Sequence, residues 1–138
     1  MVSEALRLYP PAFAIVRESI GADRAGDLEI PPRTVVMIAP WVLHRHRRRW
    51  RAPEMFDPAR FLPDAPPPDR FAYLPFGAGP RVCIGAQFAL TEATLALATL
   101  VRAFVVALEP GPPVLPMAVV TTRPDHAPAF RLTARPGV

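Results

Sequence analysis

Prolines are the sequence feature that most restricts the fold of this chain. Twenty of them are spread along 138 residues. Each fixes its own φ angle and lacks a backbone N–H, so it interrupts helices and central strands. The sequence therefore predicts short elements joined by turns and extended segments. Apolar residues still make up 51% of the chain, which is enough for a core and excludes a disordered tail. The length predicts one domain or a part of one.

The first half of the chain is predicted to contain short elements. Val2–Leu8 is typical of the last turns of a helix that is stopped by Pro10 and Pro11. Three strands and one or two helical turns are predicted next, at 12–19, 28–30, 34–39 and 39–46 respectively. Residues 49–75 show no sustained period and predict a long irregular segment. Segments of this kind are uncommon in compact domains unless they carry a function.

The second half is predicted to contain one long helix and a hairpin. Residues 85 to about 107 are apolar on nearly all sides of a helix. Such a helix belongs in the middle of a protein larger than this one. The first helix also lacks a proper beginning, and together the two features lead us to expect a piece of a larger protein. Residues 114–123 and 129–133, on either side of a turn, predict a hairpin.

The charge and cysteine content restrict the class of protein. The net charge is +4, and all 16 basic residues are arginine. This usage fits either GC-rich codons or the recognition of anions by planar guanidinium groups. One cysteine excludes an internal disulfide framework and fits a reducing compartment, so we expect a cytoplasmic protein. Charges interrupt the N-terminal stretch where a secretory signal needs an apolar run, and no stretch is apolar enough to span a membrane.

Glu4 and Arg7 are three residues apart on the first predicted helix, so they share a face. One interpretation is an exposed ion pair worth under about 1 kcal/mol. The other interpretation includes Arg60, in the FDPARF stretch at 56–61. One glutamate that meets two arginines from distant segments would form a buried network and attach the irregular segment to the helix. A network of this kind is costly unless every charge is satisfied.

Cys83 lies in the stretch FGAGPRVCIG at 76–85, directly before the long helix. A buried structural cysteine is one interpretation, but the three glycines around it argue against that. Gly77 and Gly79 allow positive φ angles in a tight turn, and Gly85 removes a side chain where a bulky partner lies close. The start of a helix stabilises a thiolate, which is the form that binds metals. Arg81, two residues earlier along an extended segment, is placed to meet an anion.

Arginines and histidines are concentrated in the stretch HRHRRRWR at 44–51. A solvated face and a docking surface for an acidic partner are the two interpretations that we retain. Nucleic-acid binding is disfavoured, and we expect no nucleic-acid partner. His44 and His46 lack a further cysteine or carboxylate at zinc-binding spacing, so a zinc site is not expected.

Three motifs together resemble those of a known family. FGAGPRVCIG fits the pattern F-x-x-G-x-R-x-C-x-G at every fixed position, EALR at 4–7 fits E-x-x-R, and FDPARF fits an aromatic-x-x-x-Arg-Phe element. With these motifs in this order, the chain resembles the C-terminal part of a bacterial cytochrome P450, a haem-thiolate monooxygenase, over essentially all 138 residues. The resemblance implies an α+β class with a mainly helical parent fold. This part would hold two main helices, short antiparallel strands and an irregular meander.

The resemblance also implies roles for individual residues. Cys83 would be the axial thiolate ligand of the iron of haem b, at the start of a helix and facing a space the size of a porphyrin. The residues that would surround the haem are Phe76, Gly77, Gly79, Arg81, Gly85 and Arg17, the two arginines on its propionates. Glu4, Arg7 and Arg60 would form a structural triad. Ala12, Phe13, Ala14 and Val120 would help to shape the pocket for a small organic substrate.

The family's oxygen-activating motif, (A/G)-G-x-(D/E)-T, is absent from the sequence. GADR at 21–24 and LTEAT at 90–94 do not fit it. The resemblance therefore implies a haem-ligating part without the N-terminal half, and we expect the isolated chain to lack activity. Three hypotheses follow: a piece of a monooxygenase that takes electrons from a ferredoxin or a flavin reductase, a stand-alone haem binder without turnover, and a truncated product without function. The substrate is not identifiable from the sequence.

Overall fold

The structure, a computed structural model, describes residues 1–137. Three α-helices lie in this range: α1 (Val2–Leu8), α2 (Pro40–Leu43) and α3 (Ala86–Ala103). The strands of the described range are β1 (Ile15–Glu18), β2 (Asp23–Ala25), β3 (Leu28–Ile30), β4 (Val35–Ile38), β5 (Phe104–Leu108), β6 (Pro116–Ala118), β7 (Thr122–Pro124) and β8 (Phe130–Ala134). Two 3₁₀ turns lie at Pro58–Phe61 and Gly79–Arg81. The α+β class is therefore confirmed, with a short third helix beside the two that were predicted.

The strands form two-stranded antiparallel sheets. β1 pairs with β4, and Ile15 lies opposite Ile38. β2 pairs with β3, and β6 pairs with β7, each through a short turn. β5 pairs with β8 over five residues on each side, from Phe104 opposite Ala134 to Leu108 opposite Phe130. Because every sheet has only two strands, none of them forms a stable unit by itself, and the helices and irregular segments must support them.

The elements of the first half lie close to where the sequence predicts them. α1 has the predicted bounds and ends before Pro10 and Pro11. The helical turn predicted within 39–46 is α2, which begins at Pro40, where proline is tolerated because its missing N–H has no partner in a first turn. Residues 49–75 are irregular except for the 3₁₀ turn at Pro58–Phe61, where the Asp57 side chain accepts a hydrogen bond from the Ala59 amide.

The long helix is shorter than predicted. It was expected to continue to about Ala107, but α3 ends at Ala103 and the chain continues as strand β5. β5 contains two consecutive β-branched residues, Val105 and Val106, and it gains backbone hydrogen bonds by pairing with β8. Arg135, just after β8, closes the helix end: its amide and Nε donate to the carbonyls of Ala103 and Val101, both at 2.9 Å. The prediction failed because the partner strand is 22 residues or more away along the chain.

The prediction that residues 114–123 and 129–133 pair as a hairpin is also wrong. The first of these stretches folds on itself, as β6 and β7, and the second pairs with β5 as β8. The turn predicted between them does form, because the Asp125 carboxylate accepts hydrogen bonds from the amides of Leu115 and His126, at 2.9 and 3.0 Å. Local turn chemistry was therefore recognised, whereas the pairing of strands was assigned to the wrong partner.

The small core lies around α1 and the irregular segment. The buried apolar side chains are Leu8, Trp50, Ala72 and Leu74. α1 contacts both α3 and the 3₁₀ turn at Pro58–Phe61, so the two main helices pack together with the irregular segment alongside. The α3 helix contributes no buried residue to this core. None of the helices within residues 1–137 is long and apolar enough to cross a membrane.

Candidate functional site

Glu4 and Arg7 form a fully buried, two-point ion pair at the centre of the core. Arg7 Nε lies 2.8 Å from Glu4 Oε2, and Arg7 Nη2 donates to Glu4 Oε1 at 2.8 Å. Both side chains have an exposed fraction of 0%. The remaining Arg7 donors reach the carbonyls of His44, Pro53 and Met55, at 2.7, 2.7 and 3.0 Å. The exposed ion pair considered from the sequence is thereby excluded, because every charge here is desolvated and satisfied.

The third arginine of the predicted network lies beside the same carboxylate. Arg60 Nε is 3.4 Å from Glu4 Oε1, and Arg60 Nη2 donates to the Ala52 carbonyl at 3.0 Å. The Asp57 amide donates to Glu4 Oε1 at 2.8 Å. Burial alone would raise the pKa of Glu4, but the hydrogen bonds from Arg7 and Asp57 and the charges of both arginines outweigh it and hold the pKa below its ordinary value. One carboxylate therefore attaches the irregular segment to α1.

His44 is a buried residue that the sequence interpretation missed. It has no exposed surface, Nδ1 lies 3.0 Å from the Arg7 carbonyl, and the Leu74 amide donates to Nε2 at 2.7 Å. Burial lowers its pKa to about 4, and the positive charges of Arg7 and Arg45 act in the same direction. It was overlooked because five arginines and a second histidine follow it within 44–51. In the structure its spacing of four residues from buried Pro40 places both on one side of the α2 turn, but the sequence alone does not show that Pro40 is buried.

The cysteine loop, residues 76–85, is held by backbone hydrogen bonds and two left-handed glycines. The Cys83 amide donates to the Phe76 carbonyl at 2.9 Å, which closes the loop. Gly77 and Gly79 have φ angles of 76° and 73°, as the sequence predicted for a tight turn. At Gly77 a Cβ would also lie 3.8 Å from Ile15 Cδ1, on strand β1. The loop therefore needs glycine at these two positions for its backbone conformation.

Cys83 is exposed at the end of this loop. Helix α3 begins three residues later, at Ala86, with Gly85 as its N-cap. Gly85 has an ordinary negative φ, so its lack of a side chain is not required by the backbone. A Cβ there would lie 4.0 Å from Cys83 Sγ, on the sulfur side of the loop. Arg81 lies in the 3₁₀ turn rather than on the extended segment that was predicted, and its side chain is exposed.

The other predicted site residues lie on two neighbouring segments. Arg17 is on β1, exposed, and its Nη1 donates to the Val16 carbonyl at 2.8 Å. The residues predicted for the substrate pocket are Ala12, Phe13 and Ala14, between α1 and β1, and Val120, exposed in the turn between β6 and β7. The Thr122 amide donates to the Pro11 carbonyl at 2.9 Å. The structure therefore brings the 12–14 segment and the β6–β7 turn close together.

The basic stretch at 44–51 is mostly a solvated face. Arg47, Arg48 and Arg51 are exposed, and Arg49 pairs with Asp69 at 2.8 Å on the surface. Arg45 is partly covered, because its guanidinium lies over the Trp41 ring at 3.7 Å from the ring centroid. Within the described residues no group of three or more histidine, cysteine or acidic side chains is arranged to hold a metal ion.

Solved structures with the same fold hold the same arrangement of elements over nearly the whole chain. The retinoic acid bound cyanobacterial CYP120A1 superposes with a TM-score of 0.88 at 32% sequence identity, over 97% of this chain and 31% of that one. The haem domain of cytochrome P450DA superposes with a TM-score of 0.85 at 31% identity, over 97% of this chain and 30% of its own. The fold defined by these elements is therefore part of a haem-domain fold.

Sequence comparisons agree with the fold. The chain is 40% identical to pentalenene oxygenase of Streptomyces avermitilis over 136 residues, and 48% identical to cyclooctatin synthase of Streptomyces melanosporofaciens over 99 residues. The family model for cytochrome P450 matches residues 1–126. This chain belongs to the cytochrome P450 family. The match to the pentalenene oxygenase covers 98% of this chain but 30% of that protein, and the match to the cyclooctatin synthase covers 71% of this chain but 22% of that protein. This chain therefore spans less than a third of these relatives.

Proposed function

We propose that this chain is the haem-binding portion of a cytochrome P450 monooxygenase and that the Cys83 thiolate is the axial ligand of haem b. The observation that carries the proposal is the geometry of the cysteine loop. The bond from the Cys83 amide to the Phe76 carbonyl and the left-handed Gly77 and Gly79 present one exposed thiol directly before an 18-residue helix.

The residues around the sulfur fit a large flat ligand. Cys83 is exposed, and Gly85 leaves open the space that a side chain on the sulfur side would fill. One protein thiolate would suffice as a ligand, because a porphyrin would supply its own nitrogen donors to the iron. The lack of a multi-residue metal cluster within residues 1–137 is consistent with this mode of binding.

Two arginines are candidates for the haem propionates. Arg81 and Arg17 are exposed, and no carboxylate pairs with either of them in the described part of the chain. Guanidinium groups bind carboxylates at two points and remain charged at all physiological pH values. Phe76, half-buried at the start of the loop, would lie beside the sulfur and restrict the access of water to it. Glu4, Arg7 and Arg60 would support the loop from behind and not take part in chemistry.

The proposed reaction is the insertion of one atom of O2 into a small organic substrate, while two electrons and two protons reduce the other atom to water. Haem supplies the oxygen activation and the thiolate ligand favours O–O cleavage. The segment Ala12–Ala14 and Val120, which the Pro11–Thr122 hydrogen bond brings together, would contact the substrate. Electrons would come from a ferredoxin or flavin reductase that binds the basic surface at Arg47 and Arg48. The cytoplasmic location and the lack of a nucleic-acid partner stay predictions.

The experiment that tests this proposal is a reduced carbon-monoxide difference spectrum of the purified chain after addition of haemin. A far red-shifted Soret band is expected for the wild type and its loss for Cys83→Ser. Ser19→Cys in a Cys83→Ser background is a matched control, because it returns one thiol to the chain at a different place. A red-shifted band that survives Cys83→Ser would contradict the thiolate assignment. A band without turnover fits both this proposal and a stand-alone haem binder, since the isolated chain is expected to lack activity, whereas no band would favour a chain without function.

A further inference from the structure

The segment that leads into the cysteine loop is attached to helix α1 at two points. Tyr73 Oη donates to the Ser3 carbonyl at 2.8 Å, near the start of the helix. The Leu74 amide donates to His44 Nε2 at 2.7 Å, and His44 Nδ1 in turn lies 3.0 Å from the Arg7 carbonyl near the helix end. One imidazole therefore connects two backbones that have no direct hydrogen bond at this place.

The orientation of the His44 ring is fixed from both sides. Because an amide can only donate, Nε2 must be the unprotonated nitrogen and Nδ1 must carry the hydrogen that the Arg7 carbonyl accepts. Arg7 Nη1 donates back to the His44 carbonyl at 2.7 Å, so the two residues bind each other's backbone. The ring also packs against Tyr73, with 5.3 Å between centroids. The residue has no exposed surface through which water could replace these bonds.

From Leu74 the connection continues to Cys83 through two backbone hydrogen bonds. The Gly77 amide donates to the Leu74 carbonyl at 3.2 Å, and the Cys83 amide donates to the Phe76 carbonyl at 2.9 Å. Leu74 is buried, whereas Cys83 is exposed. The position of the thiol relative to the core therefore depends on where Leu74 is fixed.

We infer that His44 is a positioning residue for Cys83: its neutral imidazole holds Leu74 against α1 and thereby sets the place of the cysteine loop. The inference rests on the proposed function only in that the positioned thiol is a haem ligand. The hydrogen-bond arrangement itself is independent of haem. The two hydrogen bonds of the His44 ring can be tested separately. Glutamine offers an acceptor near the place of Nε2, and asparagine offers a donor near the place of Nδ1.

The test compares amide hydrogen exchange of Leu74, Gly77 and Cys83 in the full chain with three variants of one residue. His44→Leu removes both hydrogen bonds, His44→Asn keeps the donor to Arg7, and His44→Gln keeps the acceptor for Leu74. Exchange at these three amides is expected to accelerate about tenfold in His44→Leu and His44→Asn, and clearly less in His44→Gln. This order is one that a loss of packing volume would not produce.

Two controls separate positioning from general destabilisation. His46→Gln changes the exposed histidine of the same stretch and is expected to leave all three amides unchanged. Leu8→Ala weakens the core at a different place and is expected to accelerate exchange across the whole chain, without preference for the cysteine loop. The inference would be overturned if exchange in His44→Leu accelerated equally across the whole chain. It would also be overturned if the loop amides accelerated no more in His44→Leu than in Leu8→Ala.

A measurement on the wild-type chain covers the case in which the variants do not fold. Nitrogen chemical shifts of the His44 imidazole report which nitrogen carries the hydrogen. The Nδ1-protonated form is expected at pH 7, and an Nε2-protonated ring would overturn the inference without any substitution. Protonation in acid would remove the acceptor for Leu74. It would also add a positive charge beside Arg7 and Arg45, the charged groups that face the ring, while Tyr73 stays neutral.

The carbon-monoxide difference spectrum distinguishes this inference from the proposed function. If His44 positions the loop, His44→Leu loses the far red-shifted band of a thiolate ligand relative to total bound haem, and His44→Gln restores part of it. Loop amides that respond as expected in a chain that never binds haem would refute the haem-thiolate function and leave the positioning role intact. Normal haem spectra and unchanged loop amides in His44→Leu would refute the positioning role alone.

Discussion

Among single residues, Glu4 is the carboxylate that joins all the groups of the buried network. Its carboxylate accepts two bonds from Arg7 and one from the Asp57 amide, and it faces Arg60. We expect Glu4→Gln to lower the free energy of unfolding by about 3–5 kcal/mol, since it leaves two guanidinium groups in the core without their counter-charge. Chemical denaturation followed by circular dichroism measures the change.

An exposed ion pair of the same chain is the control for this prediction. Glu54 pairs with Arg45 at 3.2 Å, but its side chain is 72% exposed. Glu54→Gln is expected to change the free energy of unfolding by under about 1 kcal/mol. Equal losses for the two variants would show that burial does not decide the strength of the Glu4 network.

The buried titratable groups predict how stability depends on pH. The pKa of His44 falls from 6.5 to about 4 on folding. The unfolded chain therefore binds a proton that the folded chain excludes as the pH drops below 6.5, and stability falls towards pH 4. The pKa of Glu4 is also lower in the folded state than its ordinary 4.5, so stability falls further below that pH. Burial raises the pKa of Tyr73 from 10.0 to about 12, which predicts a loss between these values in alkali.

Thermal unfolding measured across pH checks these signs. The midpoint is expected to be highest between about pH 7 and 10 and to decrease on both sides. His44→Gln should flatten the part of the curve between pH 6.5 and 4, and Tyr73→Phe should flatten the alkaline part. An acid branch that is unchanged in His44→Gln would show that another group causes it.

For single residues, the sequence predicted the contacts that a motif indicates, and it missed those that depend only on tertiary contact. The buried network of Glu4, Arg7 and Arg60 was one of two interpretations of residues 56 positions apart, and the structure confirms it. His44 carries no local pattern that separates it from the exposed His46 two residues later. Its role depends on Leu74, which is 30 residues away, and a single sequence does not show that contact.

Among the elements, α3 has the largest difference between apolar content and burial. None of its 18 residues is buried, and Phe88 is 73% exposed. We expect Phe88→Ala to change the free energy of unfolding of the chain by under about 0.5 kcal/mol. The matched core variant Leu8→Ala is expected to cost about 2–5 kcal/mol, because Leu8 is 4% exposed. Denaturation of both variants in parallel measures the contrast, and a large loss in Phe88→Ala would show that α3 is covered in solution.

The strands show why element pairing is harder to predict than element type. Apolar runs at residues 28–30 and 34–39 were assigned as strands correctly, since alternation and β-branched residues are local signals. Residues 104–107 were assigned to the helix because they are as apolar as the residues before them. Only the partner strand β8 and the capping by Arg135 decide in favour of a strand, and both lie far along the chain.

On the scale of the whole molecule, a small satisfied core coexists with wide apolar exposure. The network around Glu4 and the aromatic rings of Trp50, Phe61 and Tyr73 hold one end together, with centroid distances of 5.0–6.2 Å. The two-stranded sheets and α3 leave many large apolar side chains in solvent. The sequence predicted this imbalance from one helix that is apolar on nearly all sides. The chain spans less than a third of the relatives compared above.

This imbalance predicts that the 138 residues, expressed alone, associate through α3. Large exposed apolar patches drive association. On α3, Phe88 and Leu95 are 73% and 63% exposed. Replacing both by glutamine is expected to raise the monomer fraction in sedimentation velocity without a change in the unfolding midpoint. The control replaces Ile20 and Leu28, which are at least as exposed and lie near β2 and in β3, and is expected to leave association unchanged. If the two double variants dissociate to the same extent, association depends on the total apolar surface and not on the helix. This result would contradict the prediction that the chain associates through α3.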